Sequence, residues 1–169
     1  METIRIEGYR PGALGRVTEM HGVYYARNWN FGLFFERKVA REMAEFLGRF
    51  DQERDGLWLA TDGEKVVGAV FIDAVDADTE GAHLRWYIVD DDYRGRGIGT
   101  ILLRKAMDFC RQRGYASVYL WTFAGLDAAR HLYENQGFRF AEEKEDRTWG
   151  EPVTEQKFVW RSTGGGSAG

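Results

Sequence analysis

The segment from Arg94 to Gly99 reads Arg-Gly-Arg-Gly-Ile-Gly and stands between a strand-like run and a helix-like run. Glycine lets a backbone take positive φ or approach a ligand closely, and the free N–H groups at a helix N-terminus attract anions. Guanidinium groups beside them suit phosphate oxygens. The segment therefore predicts a phosphate-binding cradle, with a purely structural tight turn as the alternative.

Two common phosphate-binding motifs do not fit this segment. Its spacing is not Gly-x-x-x-x-Gly-Lys-Ser/Thr, and the next strand ends in Leu-Trp-Thr at 120–122, without the carboxylate that dinucleotide-binding folds place there. The adjacent carboxylates from Asp90 to Asp92 alternate in direction, which is typical of a solvated strand end. We therefore expect no metal site.

The hydrophobic periodicity predicts strands alternating with helices. Predicted strands are Ile4–Tyr9, Leu57–Ala60, Val66–Ile72, His83–Asp90, Ala116–Thr122, Phe138–Lys144 and Thr154–Trp160; predicted helices begin near Pro11 and cover Phe34–Phe50, Gly97–Gln112 and Asp127–Gln136. An Asp-Gly pair at 62–63 suits a hairpin turn between two of these strands. The expected fold class is mixed α/β, α+β-like, with a mostly antiparallel twisted sheet of about seven strands and helices on both faces.

Length and composition indicate one globular domain over residues 1–161, followed by a flexible Gly/Ser-rich tail at 162–169. No window approaches the run of about 20 apolar residues that a membrane span needs, and the first residues do not resemble a secretory signal. The single cysteine, Cys110, excludes an internal disulfide and fits a cytoplasmic location. A net charge of −4 disfavours general nucleic-acid binding.

Two motifs in this order resemble the GNAT superfamily of N-acetyltransferases. The Arg94 to Gly99 segment is similar to its Arg/Gln-x-x-Gly-x-Gly/Ala loop, and Ala129 to Phe138 is similar to its Ala-x-x-Leu-Tyr-x-x-x-Gly-Phe element. His21-Gly22, Leu84-Arg85-Trp86 and Trp149-Gly150 further resemble acetyltransferase domains fused to MarR-type winged-helix regulators. The resemblance implies a GNAT fold, acetyl-CoA as cosubstrate and transfer of its acetyl group to a primary amine.

The resemblance also implies roles for individual residues. The residues expected to bind the cofactor are Ile88, Val89, Arg94, Gly95, Arg96, Gly97, Ile98, Gly99 and Thr100. Of these, Ile88 and Val89 lie on the strand, and their backbone is expected to pair with the pantetheine arm. Tyr133 resembles the family's proton donor to the leaving thiolate; an ordinary core tyrosine is the alternative. His83 lies where some members carry a catalytic Glu and is one candidate base. His21 and Glu36, which are polar residues within otherwise aromatic N-terminal segments, and a water chain are the alternatives.

Candidate acceptor contacts lie in two regions. By the two-residue strand period, Arg85 shares a face with His83 and Tyr87, where it could bind an acceptor carboxylate or pair with a neighbouring acidic residue. Trp29 and Phe35, with the polar Glu36 among them, form an aromatic segment where family members build an acceptor pocket, although a plain core is the alternative.

Three functions remain open from the sequence. The first is N-acetylation of a small-molecule amine, the second is acetylation of a protein lysine or N-terminus, and the third is a non-catalytic acetyl-CoA-binding regulatory module. We expect a small-molecule partner, neither a nucleic acid nor a membrane, and a monomer or homodimer. An acidic protein mildly favours a cationic partner.

Overall fold

The computed structural model describes residues 3–163. Its strands are β1 (Arg5–Glu7), β2 (Gly56–Asp62), β3 (Lys65–Asp73), β4 (Ala82–Val89), β5 (Ser117–Phe123), β6 (Arg139–Asp146) and β7 (Val153–Arg161). They form one sheet in the order β1-β2-β3-β4-β5-β7-β6. All neighbours pair antiparallel except β4 and β5, which are parallel. The predicted mixed, mostly antiparallel sheet of seven strands is confirmed.

Four helices cover the two faces of this sheet: α1 (Ala13–Trp29), α2 (Leu33–Gly48), α3 (Ile98–Gln112) and α4 (Asp127–Asn135). Buried residues of α1 and α2 pack with one set of strand residues, and buried residues of α3 and α4 pack with the alternate set. We call these sides the α1–α2 face and the α3–α4 face. Within the described part of the chain, no helix is long and apolar enough to span a bilayer.

The apolar stripe of α3 shows how periodicity builds this arrangement. Ile98, Leu102, Ala106 and Cys110 recur at helical spacing and are all buried against the sheet. Burial also raises the pKa of the Cys110 thiol to about 12, so this cysteine is an unreactive core residue. Helix ends differ from the prediction by a few residues, because end residues respond to local turn geometry.

The parallel strands β4 and β5 separate soon after they begin. They pair at Ala82 with Val118 and at His83 with Tyr119, and no further pair joins them. On its other side, β4 stays paired with β3 as far as Val89. The sheet therefore splits between β4 and β5, and the rest of β4 has an unpaired edge.

A β-bulge in β4 corrects one expectation about its faces. The pairing of β3 with β4 shifts between Ala69 and Phe71, and Trp86 has a φ of 47°, which is rare for a bulky residue. The extra residue turns Tyr87 to the α3–α4 face while Arg85 remains on the α1–α2 face. The prediction that the two side chains share a face was wrong, because the two-residue period does not hold across a bulge.

Candidate active site

A cavity of about 840 Å³ lies where β4 and β5 separate. From the α3–α4 face it is lined by the loop before α3 and by Tyr133. From the α1–α2 face it is lined by residues that include Phe35, Trp149 and Glu155. The cavity therefore connects the two faces through the split in the sheet, and its volume is in the usual range for ligand and cofactor sites.

The glycine-rich loop places a helix N-terminus at this cavity. Gly95 and Gly97 have φ of 77° and 80°, in the left-handed region that favours glycine. A Cβ at either position would meet no atom within 4 Å, so space is open beside the loop. Because α3 begins at Ile98, the N–H groups of its first turn have no acceptor within the helix. This geometry fits the predicted phosphate cradle, and Thr100 also lines the cavity.

Gly99 lies in close contact with Tyr87 of β4. A Cβ there would lie 2.7 Å from the Tyr87 hydroxyl oxygen, closer than real side chains come. The Tyr87 hydroxyl donates a hydrogen bond to the Gly99 carbonyl at 2.7 Å. Gly99 thus lets a side chain of β4 pack against the first turn of α3, which fixes the loop relative to the strand.

The two loop arginines have different surroundings. Arg94 lines the cavity, pairs with Asp91 at 2.9 Å and lies over the ring of Tyr24 at 4.8 Å. Arg96 lies over the ring of Tyr93 at 4.7 Å and is not part of the cavity wall. Of the predicted phosphate-binding cations, Arg94 is the one placed to reach a ligand in the cavity.

Ile88 and Val89 lie on the unpaired edge of β4. Both line the cavity, and both pair with β3 on the opposite side, at Ala69 and Gly68. Toward β5 this stretch of backbone has no strand partner. An extended, amide-rich ligand can add to such an edge through main-chain hydrogen bonds. The predicted contact with a pantetheine arm is therefore compatible with the sheet.

Tyr133 lies on the α3–α4 side of the cavity and is 6% exposed. Its ring is 5.8 Å from that of Tyr87, 6.1 Å from Phe138 and 6.2 Å from Phe158. No group among residues 3–163 hydrogen-bonds its hydroxyl. Burial, with a smaller contribution from Tyr87, raises the pKa of Tyr133 well above its ordinary value, so the phenol is protonated at neutral pH.

His83 is half-buried and lines the cavity on the α1–α2 face. Its ring stacks on Tyr119 with 4.4 Å between centroids. Burial, reinforced by the nearby charge of Arg85, lowers the pKa of His83 to about 3. A histidine with so low a pKa is a weak proton acceptor, so the structure disfavours His83 as the base.

Arg85 lines the cavity, but its charge is already compensated. Its guanidinium contacts Asp73 at 3.0 Å and Glu42 at 3.1 Å, and it lies over the ring of Trp86 at 4.1 Å. Burial alone would raise the pKa of Asp73, but hydrogen bonds from Arg49 and Arg85 hold it below its ordinary value. The structure therefore supports the ion-pair alternative for Arg85 over binding of an acceptor carboxylate.

The aromatic segment divides between cavity wall and core. Phe35 is buried, lines the cavity and packs against Trp149 with 5.4 Å between ring centroids. Trp29 packs against Phe123 with 5.3 Å between ring centroids and lies outside the cavity wall. Glu36 is exposed and also lies outside the cavity wall, with its carboxylate against Gly22. Of the three predicted acceptor contacts in this segment, the structure brings Phe35 to the cavity.

Sequence reasoning missed several polar or aromatic residues of the cavity wall, among them Lys144, Asp146, Trp149 and Glu155. Glu155 is 5% exposed and accepts a hydrogen bond from the Trp149 indole at 2.6 Å. Lys144 lies 3.9 Å from Glu155 and 3.8 Å from Asp146. In sequence the signal was weak, because the predicted strand Thr154–Trp160 contains both Glu155 and Lys157 and nothing distinguishes one charged residue from the other.

The sequence profile of the acetyltransferase (GNAT) family matches residues 20–138. This span runs from α1 through the end of α4 and includes the glycine-rich loop and Tyr133. The chain belongs to the acetyltransferase (GNAT) family. The match supports the resemblance drawn from the two sequence motifs.

Curated N-acetyltransferases match parts of the chain. An uncharacterized N-acetyltransferase of Methanocaldococcus jannaschii is 31% identical over 127 residues, which are 73% of this chain and 55% of that protein. N-acetylaspartate synthetase of Danio rerio is 38% identical over 91 residues, or 54% of this chain and 32% of that protein. The chain thus spans about half or less of the length of these relatives.

Solved structures share the whole architecture at low sequence identity. The ribosomal-protein-S18-alanine N-acetyltransferase of Escherichia coli has a TM-score of 0.71 and 23% identity, covering 98% of each chain. The protein yncA of Salmonella typhimurium, solved with its cofactor acetyl-CoA, has a TM-score of 0.71 and 14% identity, covering 94% of this chain and 93% of the other. These similarities establish the fold.

Proposed function

We propose that this protein is an N-acetyltransferase that moves the acetyl group of acetyl-CoA to a primary amine of a small molecule. One observation carries the proposal: a single cavity joins the helix N-terminus at Gly97, the open edge of β4 and a protonated tyrosine. The first feature suits a pyrophosphate, the second an amide-rich arm and the third a leaving thiolate. Family membership supports the same reaction.

The residues present fit coenzyme A. Gly95 and Gly97 leave open space beside free N–H groups, and Arg94 adds positive charge at the cavity wall. Ile88 and Val89 offer unpaired backbone for the pantetheine amides. Bound acetyl-CoA would supply a thioester that an amine can attack directly. The relative solved with acetyl-CoA supports this choice of donor.

Tyr133 is the proposed proton donor. Its protonated hydroxyl has no competing partner among residues 3–163, so it is free to donate to a sulfur atom that gains negative charge as the C–S bond breaks. The packing alternative is not exclusive, because the ring is also part of the α3–α4 core. The core contacts hold the hydroxyl in a fixed position at the cavity.

A compact acceptor suits the α1–α2 side of the cavity. Trp149, in the connection between β6 and β7, packs against Phe35 of α2 and lies 5.8 Å from Phe123 of β5. The next residue, Gly150, lies next to α2, since a Cβ there would be in van der Waals contact with the Phe34 ring at 3.4 Å. This connection therefore bounds the cavity where a peptide acceptor would need an open groove. N-acetylaspartate synthetase, a similar protein, is named for a small product.

Acetylation of a protein is the second candidate, and the name of the structurally similar Escherichia coli enzyme supports it. The two are separated by incubating the chain with acetyl-CoA and either a panel of small amines or peptides with free N-termini and lysines, and measuring thiol release. We expect turnover with a small amine. Turnover confined to peptides would contradict the small acceptor, and calorimetric binding of acetyl-CoA without turnover would indicate a regulatory module.

Other expectations stay predictions. They are the particular similarity to MarR-fused acetyltransferase domains, the cytoplasmic location and the monomeric or homodimeric state.

A further inference from the structure

We propose that Glu155 is the catalytic base that takes a proton from the acceptor's ammonium group. This inference rests on the proposed acetyltransferase function. It assigns the proton acceptor that the sequence left open among His83, His21, Glu36 and a water chain.

The sheet places Glu155 on the side of the cavity opposite Tyr133. Glu155 of β7 pairs with Phe123 in β5 and with Lys144 in β6. Phe123 belongs to the α1–α2 core, whereas Tyr133 belongs to the α3–α4 core, and both Glu155 and Tyr133 line the same cavity. The proton donor for the thiol and a proton acceptor for the amine thus lie on opposite faces of the split sheet, where two different substrates can meet.

The other carboxylates of the cavity wall are poorer candidates. Glu42 is paired with both Lys38 and Arg85, and Asp127 is exposed at the start of α4. Asp146 has a pKa lowered to about 2, first by its hydrogen bond with Glu155, so it is a weak base. Glu155 is buried and faces the cavity, which leaves it as the carboxylate suited to proton transfer.

The groups around Glu155 keep it basic and oriented. Burial is the main cause that raises the pKa of Glu155 above its ordinary value, and the neighbouring Asp146 carboxyl group raises it further. The Trp149 indole and Lys144 lower this pKa with less effect. A carboxylate whose pKa moves toward neutrality accepts protons more effectively. The indole hydrogen bond of 2.6 Å fixes one oxygen, and Lys38 of α2 lies over that indole at 4.9 Å.

Proton and electron changes balance in the proposed step. Glu155 takes one proton from the ammonium, and the freed nitrogen pair forms the N–C bond at the thioester carbonyl carbon. The C–S bond then breaks with its electron pair on sulfur, which takes the proton of Tyr133. The second nitrogen proton passes to solvent, solvent reprotonates Tyr133, and Glu155 releases its proton to solvent. The sum is ammonium plus acetyl-CoA giving amide, thiol and one proton.

The variant Glu155→Gln tests this role, with Glu145→Gln on the exposed edge strand β6 as the matched control. Glutamine keeps an acceptor for the indole but cannot take a proton. For an acceptor that is protonated at pH 7, we expect Glu155→Gln to lower kcat by on the order of 10² or more. For an amine whose conjugate acid has a pKa well below 7, the loss is less than about threefold, because no proton must be removed before attack. The control variant leaves both rates unchanged.

Equal losses of kcat with both kinds of amine, or no loss with either, would overturn the assignment. If Glu155→Gln does not fold, as judged by thermal unfolding, Asp146→Asn carries the test. Removing the Asp146 charge lowers the pKa of Glu155, so the acid limb of the kcat/KM profile moves to lower pH. If the acid limb of the kcat/KM profile of Asp146→Asn stays at the same pH, the assignment of Glu155 is wrong while the transferase function stands. If the unaltered protein releases no thiol with any amine, both the assignment and the proposed function are wrong.

Discussion

Replacing Tyr133 by Phe removes one hydroxyl oxygen and leaves the ring contacts with Tyr87, Phe138 and Phe158 in place. The hydroxyl has no hydrogen-bond partner among residues 3–163, so no buried partner is left unsatisfied. We therefore expect the free energy of unfolding to change by less than about 1 kcal/mol. Loss of a positioned acid typically costs on the order of 10²–10⁴ in rate, which corresponds to roughly 3–5 kcal/mol of activation free energy.

The experiment compares kcat for thiol release, calorimetric affinity for acetyl-CoA and the thermal unfolding midpoint. Tyr119→Phe is the matched control, because Tyr119 is also buried at 5% exposure but lies outside the cavity wall. We expect Tyr133→Phe to lower kcat alone and Tyr119→Phe to leave all three quantities nearly unchanged. Since burial holds the pKa of Tyr133 far above neutrality, its protonation produces no basic limb in kcat between about pH 6 and 9.

Three results would refute this reasoning. An unchanged kcat in Tyr133→Phe would reduce the residue to core packing. A decrease in the free energy of unfolding well above 1 kcal/mol would show that the Tyr133 hydroxyl makes a stabilising interaction, contrary to the assumption that it has no partner. A fall in affinity with unchanged kcat would place Tyr133 in cofactor binding and leave the proton donor unassigned.

Three further predictions concern the glycine loop, the buried Asp73 and the indole of Trp149. Gly97→Glu puts a side chain and a negative charge into the open space of the loop, so affinity for coenzyme A falls about tenfold or more. The control Gly114→Ala, also at positive φ, costs about 1 kcal/mol of stability and leaves this affinity unchanged. Asp73→Asn removes the carboxylate charge that Arg49 and Arg85 both contact and costs about 2–3 kcal/mol at pH 7. Because the folded pKa of Asp73 is lowered, this contribution is present above about pH 4 and is lost on acidification, so the variant's unfolding free energy depends less on acid pH. Trp149→Phe keeps a ring but removes the hydrogen bond that lowers the pKa of Glu155, so the acid limb of kcat/KM moves to higher pH.

The sheet, its helices and the glycine loop were predictable because their signals are local. An apolar stripe at helical spacing marks α3 wherever it occurs, and Gly63 takes positive φ, 60°, at the hairpin that its Asp-Gly pair predicts. The loop before α3 is likewise a property of adjacent residues. Such patterns need no knowledge of the rest of the chain.

The partners of charged residues were not predictable, because they depend on contacts between distant segments. Arg85 meets Asp73 across a sheet pairing and Glu42 from a helix 43 residues away. The same holds for the bulge at Trp86, which depends on how β4 adapts to β3 and α3. At the bulge Arg85 and Trp86 both lie on the α1–α2 face, so the alternation that the two-residue period assumes is interrupted.

The choice of base shows how burial reverses an inference made from residue type. In sequence, His83 was attractive because histidine has an ordinary pKa near neutrality, and carboxylates have ordinary pKa values well below it. Burial disfavours the charged form of each, which lowers the pKa of a histidine and raises that of a carboxyl. In this cavity the pKa of His83 falls to about 3 while that of Glu155 rises. The same desolvation that removes the histidine as a base therefore makes a buried glutamate into one.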